Sequence, residues 1–598
     1  MRSRCIIPAL LIVMGLCGRA CVAYNAGDPE FRALFVDAWH AGYLNDSQIN
    51  QLISDAQYVN ANAIIMEVRR RGDAFYSSSY EPWAYTVGFD SLAKVIQKAH
   101  AASPRIEVHA WFVVWPIASG SNPPADPNHP YNKYPQYLTK DESGNTLCSG
   151  DYWFDPGHPG AEQYTYNVIM DVVNRYDIDG INLDYIRFGG SHFGYNDVSV
   201  ARFNAANGRT GQPYYTDSAW CNWRRAQVAN FVRKVYANAI AVKPNIKITA
   251  DLICGHPAPG VFSSCQAYGS YFQNWPAWMQ EGILDMGMPM AYFECDGSYA
   301  SDYYGWLCFT RSNMYNRQAA MIPGVYSASC LVEQINAARN YSCSGSPPAL
   351  AGAGVYSYNG IVSSGLLSTL RSLWTSPVSP PAMTWKTAPT KGHIKGNVTY
   401  GGGAWVDGAT ITLTGPANRT TTADGTGFYA FIDLPPGSYS LTCDATNYGS
   451  QSGGCSVTAG QMSTVDFDYP ASSVNITNIA VTNETSSGAT IVWTTDAPAT
   501  SKVLYGTDRT CSLSTVEDTA LVTSHSVTLT GLSPLTPYYY RVYSKNPAAP
   551  VAISPVYALV TGPAQPVIIV DNADAGASFS GTWSTSSSSS AWNSTYRV

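Results

Sequence analysis

A (β/α)8 barrel of the TIM type, followed by small all-β sandwich modules, is the fold that the 598-residue sequence predicts, and three observations predict it. Eight short apolar, β-forming runs alternate with stretches of helical period across residues 33–374. Four prolines (Pro377, Pro380, Pro381, Pro389) then crowd into a short stretch. Beyond them the helical period disappears, and Thr, Ser, Gly and alternating β-formers take over.

The eight runs are 34–39, 63–68, 106–114, 180–186, 247–252, 284–293, 319–326 and 352–358. Helices are expected between them. Ile49, Leu52, Ile53, Ala56 and Val59 form one apolar stripe behind the expected cap Asp46, and Leu92, Val95, Ile96 and Ala99 another behind Asp90. Val168, Ile169, Val172, Val173 and Tyr176 form a third, and Trp220, Trp223, Phe231 and Val235 part of a fourth. Regular strand–helix alternation requires parallel strands, which a closed barrel satisfies. The rival, a doubly wound open sheet, has no G-x-G-x-x-G after its first strand to recommend it. The barrel is placed at residues 30–376.

The prolines make residues 377–391 a semi-rigid linker. Residues 392–469 and 474–562 read as two small β-sandwiches of short strands between Gly- and Pro-rich turns. A last segment, 567–598, begins another β pattern and stops, so a module truncated by the end of the sequence is expected there. At the other end, residues 1–23 read as a secretory signal: Arg2 and Arg4, an apolar stretch over 6–16, then Cys21-Val22-Ala23. That stretch is too short for the ~20 residues of a membrane span, so an exported, secreted or cell-surface protein without a membrane span is expected.

Fourteen cysteines fit that compartment. Close neighbours suggest disulfides Cys254 with Cys265, Cys295 with Cys308, Cys330 with Cys343 and Cys443 with Cys455, with Cys148 and Cys221 a fifth pair and Cys511 alone. No C-x-x-C or H-x-x-x-H spacing points to a metal, and no motif points to a cofactor; none of either is expected. A formal charge of −7 and a pI near 5.7 argue against a nucleic-acid partner. The aromatic content, with 41 Tyr and 16 Trp, argues against disorder and suits surfaces both apolar and wet, as sugars require.

In such a barrel the working residues sit at the C-terminal ends of strands. Those positions hold Asp37 and Trp39 (strand 1), Glu67 to Tyr76 (strand 2), His109 and Trp111 (strand 3), and Asn182, Asp184, Tyr185 and Arg187 (strand 4). Asp251 ends strand 5, Tyr292 and Glu294 strand 6, Tyr326 strand 7, and Tyr356 and Tyr358 strand 8. Carboxylates mixed with aromatics are what glycoside hydrolysis needs: two carboxyls flanking the scissile bond, kept in different protonation states, and ring faces to pack on sugars.

These motifs resemble the glycosyl hydrolase-like family 10. The resemblance rests on Arg69 to Tyr76 with its Gly72-Asp73-Ala74-Phe75-Tyr76, on His109-Ala110-Trp111, and on Asp179-Gly180-Ile181-Asn182-Leu183-Asp184-Tyr185-Ile186-Arg187-Phe188, and it covers residues 30–375. It implies a (β/α)8 hydrolase of bacterial polysaccharide, peptidoglycan glycan strands among the substrates. Glu67 departs from the pattern, which leads one to expect Gln there. By analogy with related barrels, Asp184 is expected to be the catalytic nucleophile, with Asn182 supporting it. The general acid is left open between Glu294, which Cys295 beside it weakens, Asp251 and Asp73. His109, Asp73, Arg69, Arg187, Trp39, Trp111, Tyr185 and Tyr292 are expected to bind substrate, the last four by stacking or lining. In strict alternation Arg69 and Arg71 share one face, so only one face of the Arg69-Arg70-Arg71 run is expected to reach the site, where it meets an acidic sugar substituent or the surplus acids.

Residues 392–469 resemble a carboxypeptidase regulatory-like domain (Ile394-Lys395-Gly396-Asn397-Val398, then Leu434-Pro435-Pro436-Gly437), and 474–562 a fibronectin type III module (Ala489 to Trp493, then Leu532 to Arg541). The tail around Val570-Asp571-Asn572 and Ser580-Gly581-Thr582-Trp583 resembles the start of a golvesin-type module. For these the expected role is spacing or attachment to a cell surface or glycan. The rival to an enzyme is a non-catalytic carbohydrate-binding or adhesion protein on a degenerate barrel; a metal-dependent deacetylase lacks the ligand spacing.

Overall fold

The structure is a computed structural model that describes residues 24–25, 27–84, 89–344, 349–446, 448–470, 474–546 and 551–564, with two short strands, Thr585–Ser587 and Thr595–Arg597, beyond. The signal-like segment 1–23 lies outside the described residues, as does most of the golvesin-like tail.

Eight parallel strands close into a barrel: β1 (Phe31–Val36), β2 (Ala63–Arg69), β3 (Glu107–Val113), β4 (Gly180–Asp184), β5 (Lys247–Ile253), β6 (Met286–Ala291), β7 (Gln318–Pro323) and β8 (Gly352–Val355). Each pairs with its sequence neighbours, and β8 closes on β1 with Phe31 opposite Gly352. All eight expected strands are present. The strands are buried on both faces, which is why they read as continuous apolar runs. Phe31, Ala33, Phe35, Ala63, Ile65, Met286, Met288 and Ile322 fill the barrel interior. Leu34, Val36, Ile64, Met66, Val68, Val108 and Phe112 point outward to the helices.

The outer layer holds α1 (Asp46–Tyr58), α2 (Ser91–Ala101), α3 (Pro159–Arg175), α4 (Ser218–Val242), α5 (Trp275–Glu281), α6 (Ala300–Ser312), α7 (Ala328–Asn340) and α8 (Leu367–Leu373). Asp90 caps α2 by accepting the Ala93 N–H, but the cap of α1 is Asn45, not Asp46: its side chain accepts the Gln48 N–H. Between β3 and α3 the chain makes a small three-stranded sheet (Pro116–Ser119, Leu147–Cys148, Asp151–Trp153) beside the barrel mouth.

Residues 377–391, expected as a spacer, are folded against the N-terminal end of the barrel. Asp285, fully buried, accepts the Ile248 N–H (2.8 Å), the Trp385 indole N–H (2.7 Å) and the Tyr236 hydroxyl (3.3 Å), and pairs with the Lys386 ammonium at 2.7 Å. The carboxypeptidase-like β-module continues from there. Its Asp407 takes a bidentate pair from Arg202 (2.6 and 2.8 Å), Asp433 pairs with Arg317 (2.9 Å), and Thr426 accepts from Lys234 (2.6 Å).

The second compact unit is built on the strand Gly488–Gly506. Short strands between turns were expected in this module. A single strand instead serves two sheets, pairing with Ile476–Thr482 and Asp518–Thr530 in one and with Pro537–Ser544 in the other. Its register breaks between Thr494 and Ala499, where Pro498 has no N–H to offer a ladder.

The disulfides differ from the expected pairing of near neighbours. Cys295 bonds to Cys330 and Cys308 to Cys343, each pair 35 residues apart. Those are equivalent points of two successive strand–helix units, which lie side by side in a barrel, so a full repeat in sequence becomes a contact in space. Cys148, Cys221, Cys254, Cys265 and Cys455 remain thiols, so the other three expected bridges are not made. Among the described residues no helix is long and apolar enough to cross a membrane.

Candidate active site

At the C-terminal ends of the strands a cavity of about 310 Å3 is lined by Phe35 and Trp39, Glu67, Arg70 and Arg71, Trp111 and Val113, Pro116 and Asp151, Asp184, Tyr185 and Arg187, Asp251, Met290, Tyr292 and Tyr356. Of the expected site residues this gathers Asp184, Asp251, Trp39, Trp111, Tyr185, Arg187 and Tyr292.

Asp184 is the last residue of β4. Its Oδ2 accepts the Trp111 indole N–H (3.2 Å) and its Oδ1 the Tyr185 backbone N–H (2.6 Å), with Arg187 Nη1 at 3.9 Å. Tyr185 adopts φ 50°, a left-handed conformation that disfavours a bulky residue and turns the chain sharply out of the strand. Burial pushes the Asp184 carboxyl up, against the pull of Arg187 and the two donors. On the next strand Asp251 takes a hydrogen bond from Asn182 Nδ2 (3.0 Å), whose own Oδ1 accepts from Thr249 (2.9 Å). Burial first, and then the charge of Asp184, push Asp251 well above the usual carboxylate range. Two carboxyls on adjacent strand ends are thus held unequally: Asp184 has a guanidinium and two donors to support its charge, and Asp251 is driven to keep its proton.

Glu67 is a third carboxyl of the cavity. It is buried, accepts the Ala38 N–H (2.6 Å), and is pushed up to about 8 by burial, with the charges of Asp37 and Asp184 adding to the rise. The Tyr292 ring is partly exposed, and Asp251 and Asp184 add to the burial that raises its hydroxyl. Trp39 is 54% exposed at the rim, with the Arg70 guanidinium over its ring and Arg71 at 4.9 Å from the ring centre. Arg71 is bound in turn to Asp151 (3.1 and 3.0 Å).

The other expected site residues lie elsewhere. Glu294 is exposed and does not line the cavity, because β6 ends at Ala291 and the disulfide at Cys295 draws the following loop toward α7. Arg69 is fully buried, paired with Glu81 (2.8 Å) and donating to the Val113 and Val114 carbonyls, so it ties β2 to β3. A bulge between Glu67 and Arg69 breaks the strict alternation and sends Arg70 and Arg71, rather than Arg69, to the mouth. Asp73 accepts the Arg71 backbone N–H (3.0 Å) and shapes that loop. His109 lies two residues before Trp111 and so one layer deeper in the barrel: its Nε2 meets Glu107 (3.2 Å) and its ring fills the space left by Gly180, where a Cβ would come within 2.5 Å of Nδ1. Asn182 stays beneath the cavity and acts through Asp251.

Sequence reasoning missed Arg70, Asp151 and Pro116 as lining residues. Asp151 and Pro116 arrive on the small accessory sheet, for which no strand was expected. Among the described residues no group of three or more His, Cys, Asp or Glu is placed to hold a metal ion.

Residues 30–339 match the family profile described as Glycosyl hydrolase-like 10, and residues 393–470 that of the Carboxypeptidase regulatory-like domain. The segment that resembles a fibronectin type III module is matched, over 474–561, by the profile of the Purple acid Phosphatase, N-terminal domain. Glycosyl hydrolase YngK of Bacillus subtilis is 26% identical over 263 residues, 41% of this chain and 48% of that protein. Glycosyl hydrolase DigH of Escherichia coli (strain K12) is 23% identical over 264 residues, 41% of this chain and 57% of that protein. The chain therefore spans about half the length of the curated relatives it matches. Among solved structures, the glycoside hydrolase domain of PgaB (BpsB) from Bordetella bronchiseptica aligns with 58% of this chain and 99% of that one, at 12% identity and a TM-score of 0.45. With its eight-stranded barrel and a family match over just over half of its length, the chain belongs to the glycosyl hydrolase-like 10 family.

Proposed function

We propose that this protein is a glycoside hydrolase that cleaves a bacterial polysaccharide, with Asp184 as nucleophile and Asp251 as general acid. The observation that carries this reading is the pair itself: two carboxyls on neighbouring strands, in one cavity, both raised by burial but unequally surrounded, Asp184 by two N–H donors and the nearby Arg187 guanidinium, Asp251 by the charge of Asp184. The names of the two relatives, both glycosyl hydrolases, support the reaction class. Asp251 gives its proton to the glycosidic oxygen as the bond to the anomeric carbon breaks, and Asp184 takes that carbon as an ester. Asp251, now a carboxylate, draws a proton from a water whose oxygen displaces Asp184, so the anomeric configuration is retained. Glycan strands of peptidoglycan are among the substrates to test. The signal-like N-terminus and the two disulfides support export, and the β-modules support a role in spacing or attachment.

The test is a screen of the full chain on bacterial glycans, peptide-free cell-wall strands included, with products read by mass and the first-formed anomer by NMR. Asp184→Asn and Asp251→Asn should each abolish release of reducing ends while leaving binding intact. A wild-type protein that binds glycans but releases no reducing end from any of them would instead be a carbohydrate-binding protein on an inactive barrel.

A further inference from the structure

Arg187 is poorly explained by the reaction alone. Its side chain is 13% exposed, and its buried Nη1 makes no hydrogen bond and stands 3.9 Å from Asp184 Oδ1. Asp184 already has two donors, the Trp111 indole and the Tyr185 N–H. The left-handed turn at Tyr185 lets Arg187 fold back, with its guanidinium over the Tyr185 ring (4.2 Å) and near that of Tyr271 (5.8 Å). A guanidinium held over aromatic rings, with a buried N–H unmet, is costly unless a ligand completes it.

The charge of the cavity points the same way. Three guanidinium groups, of Arg70, Arg71 and Arg187, line it, and Arg71 holds Asp151 in a bidentate pair. With Asp251 and Glu67 driven toward their neutral forms, the guanidinium groups outnumber the charged carboxylates. This occurs in a chain whose formal charge is −7. A neutral sugar gains nothing from that arrangement.

Resting on the proposed hydrolase reading, we infer that the cavity takes an anionic glycan, with a sugar-borne carboxylate received by the Arg187 guanidinium beside Asp184. A carboxylate matches the planar fork of an arginine and supplies the acceptor that Nη1 lacks. The site would thereby choose among glycans by a substituent as well as by ring and linkage.

The experiment uses two matched pairs of probes with the full chain: peptide-free cell-wall glycan strands, whose lactyl ethers carry carboxylates, and oligogalacturonates, each beside the same glycan with its carboxyls reduced to alcohols. Binding is measured by calorimetry and cleavage by reducing-end release. At least one acidic glycan should be favoured over its reduced form by about 10- to 100-fold, the range of one hydrogen-bonded charge. Arg187→Gln should shrink that ratio to about 3-fold or less. Arg187→Lys, which keeps the charge beside Asp184 but not the fork, should recover only part of that ratio, with the loss falling on KM for the acidic glycan and not on KM for its reduced form. Circular dichroism checks that both variants fold. Equal treatment of both members of each pair by the wild type, or an equal loss on both in Arg187→Gln, overturns the inference. Selective binding without any cleavage sustains it and overturns the hydrolase reading instead.

Discussion

At the floor of the barrel Glu30 pairs with Arg32 and Arg339, Glu107 with Lys247, Asp179 with Arg105 and His100, and Asp285 with Lys386. At the mouth Glu67, Asp184 and Asp251 line one cavity, and the Arg187 guanidinium beside Asp184 makes no hydrogen bond to it through Nη1. Glu30 and Glu107 at the floor are shifted down, whereas Glu67, Asp184 and Asp251 at the mouth are shifted up. Burial alone would raise Glu107, but the His109 hydrogen bond and the Lys247 charge outweigh it and pull it down to about 2; at Glu67 the Ala38 hydrogen bond and the Arg70 charge do not offset burial and the neighbouring acids, and it goes up to about 8. A larger cavity, about 610 Å3, lies at the floor, yet its acids are already paired, whereas the smaller cavity at the mouth holds the acids of the proposed reaction. The proposed site thus rests on the pairing of charges and not on size.

Substitutions at the two ends should therefore separate activity from stability. The largest expected effect is at the mouth: Asp184→Asn should lower kcat/KM on the order of 10^4-fold with an unchanged melting curve. At the floor, Asp285→Ala strands the Lys386 ammonium in a buried site and should lower unfolding free energy by about 3–5 kcal/mol, while activity per folded molecule holds. A comparable loss of activity there would break the contrast.

The pH dependence should run in opposite directions. Glu107 has a folded pKa below its unfolded value, so its contribution is present above about pH 4.5 and fades as pH falls toward 2. Glu107→Gln should therefore lose about 3 kcal/mol at pH 7 but little near pH 2. Glu67 has the reverse shift, so it weakens the fold as pH rises from about 4.5 through 8. Denaturant midpoints measured from pH 5 to 9 should decline more in the wild type than in Glu67→Gln; parallel curves would show that Glu67 does not titrate as placed. The smallest effect is at the rim, where Trp39→Ala should raise KM about 3- to 10-fold and leave kcat nearly unchanged.

The strands were legible because a barrel strand is apolar on both faces, and that pattern survives in the letters. The nucleophile candidate was legible because Asp184 ends such a strand. What failed depended on offsets of one or two residues. Arg69 and Arg71, expected on one face, were parted by a single bulge that left Arg69 buried and sent Arg70 and Arg71 to the mouth. His109 sits two residues too early in β3 to reach the mouth, and Glu294 three residues past the end of β6. Asp151 came from a loop whose small sheet has no periodic signal. Disulfide partners were misread because nearness in sequence was taken for nearness in space, where a repeating fold brings together residues one repeat apart.

The segment under the barrel changes what counts as one exchangeable piece of this protein. Multidomain chains are commonly shuffled at proline-rich stretches, and a cut at residue 377 looks natural. Here it would carry Trp385 and Lys386 away with the downstream cassette and leave Asp285 without its counter-ion. A barrel transplanted at that seam would lose its floor, and one that ends at 391 would still leave Arg202, Lys234 and Arg317 without Asp407, Thr426 and Asp433. The true seam for recombination is set by where the last buried charge of the barrel is answered, at Asp433 within the β-module rather than in the proline-rich stretch.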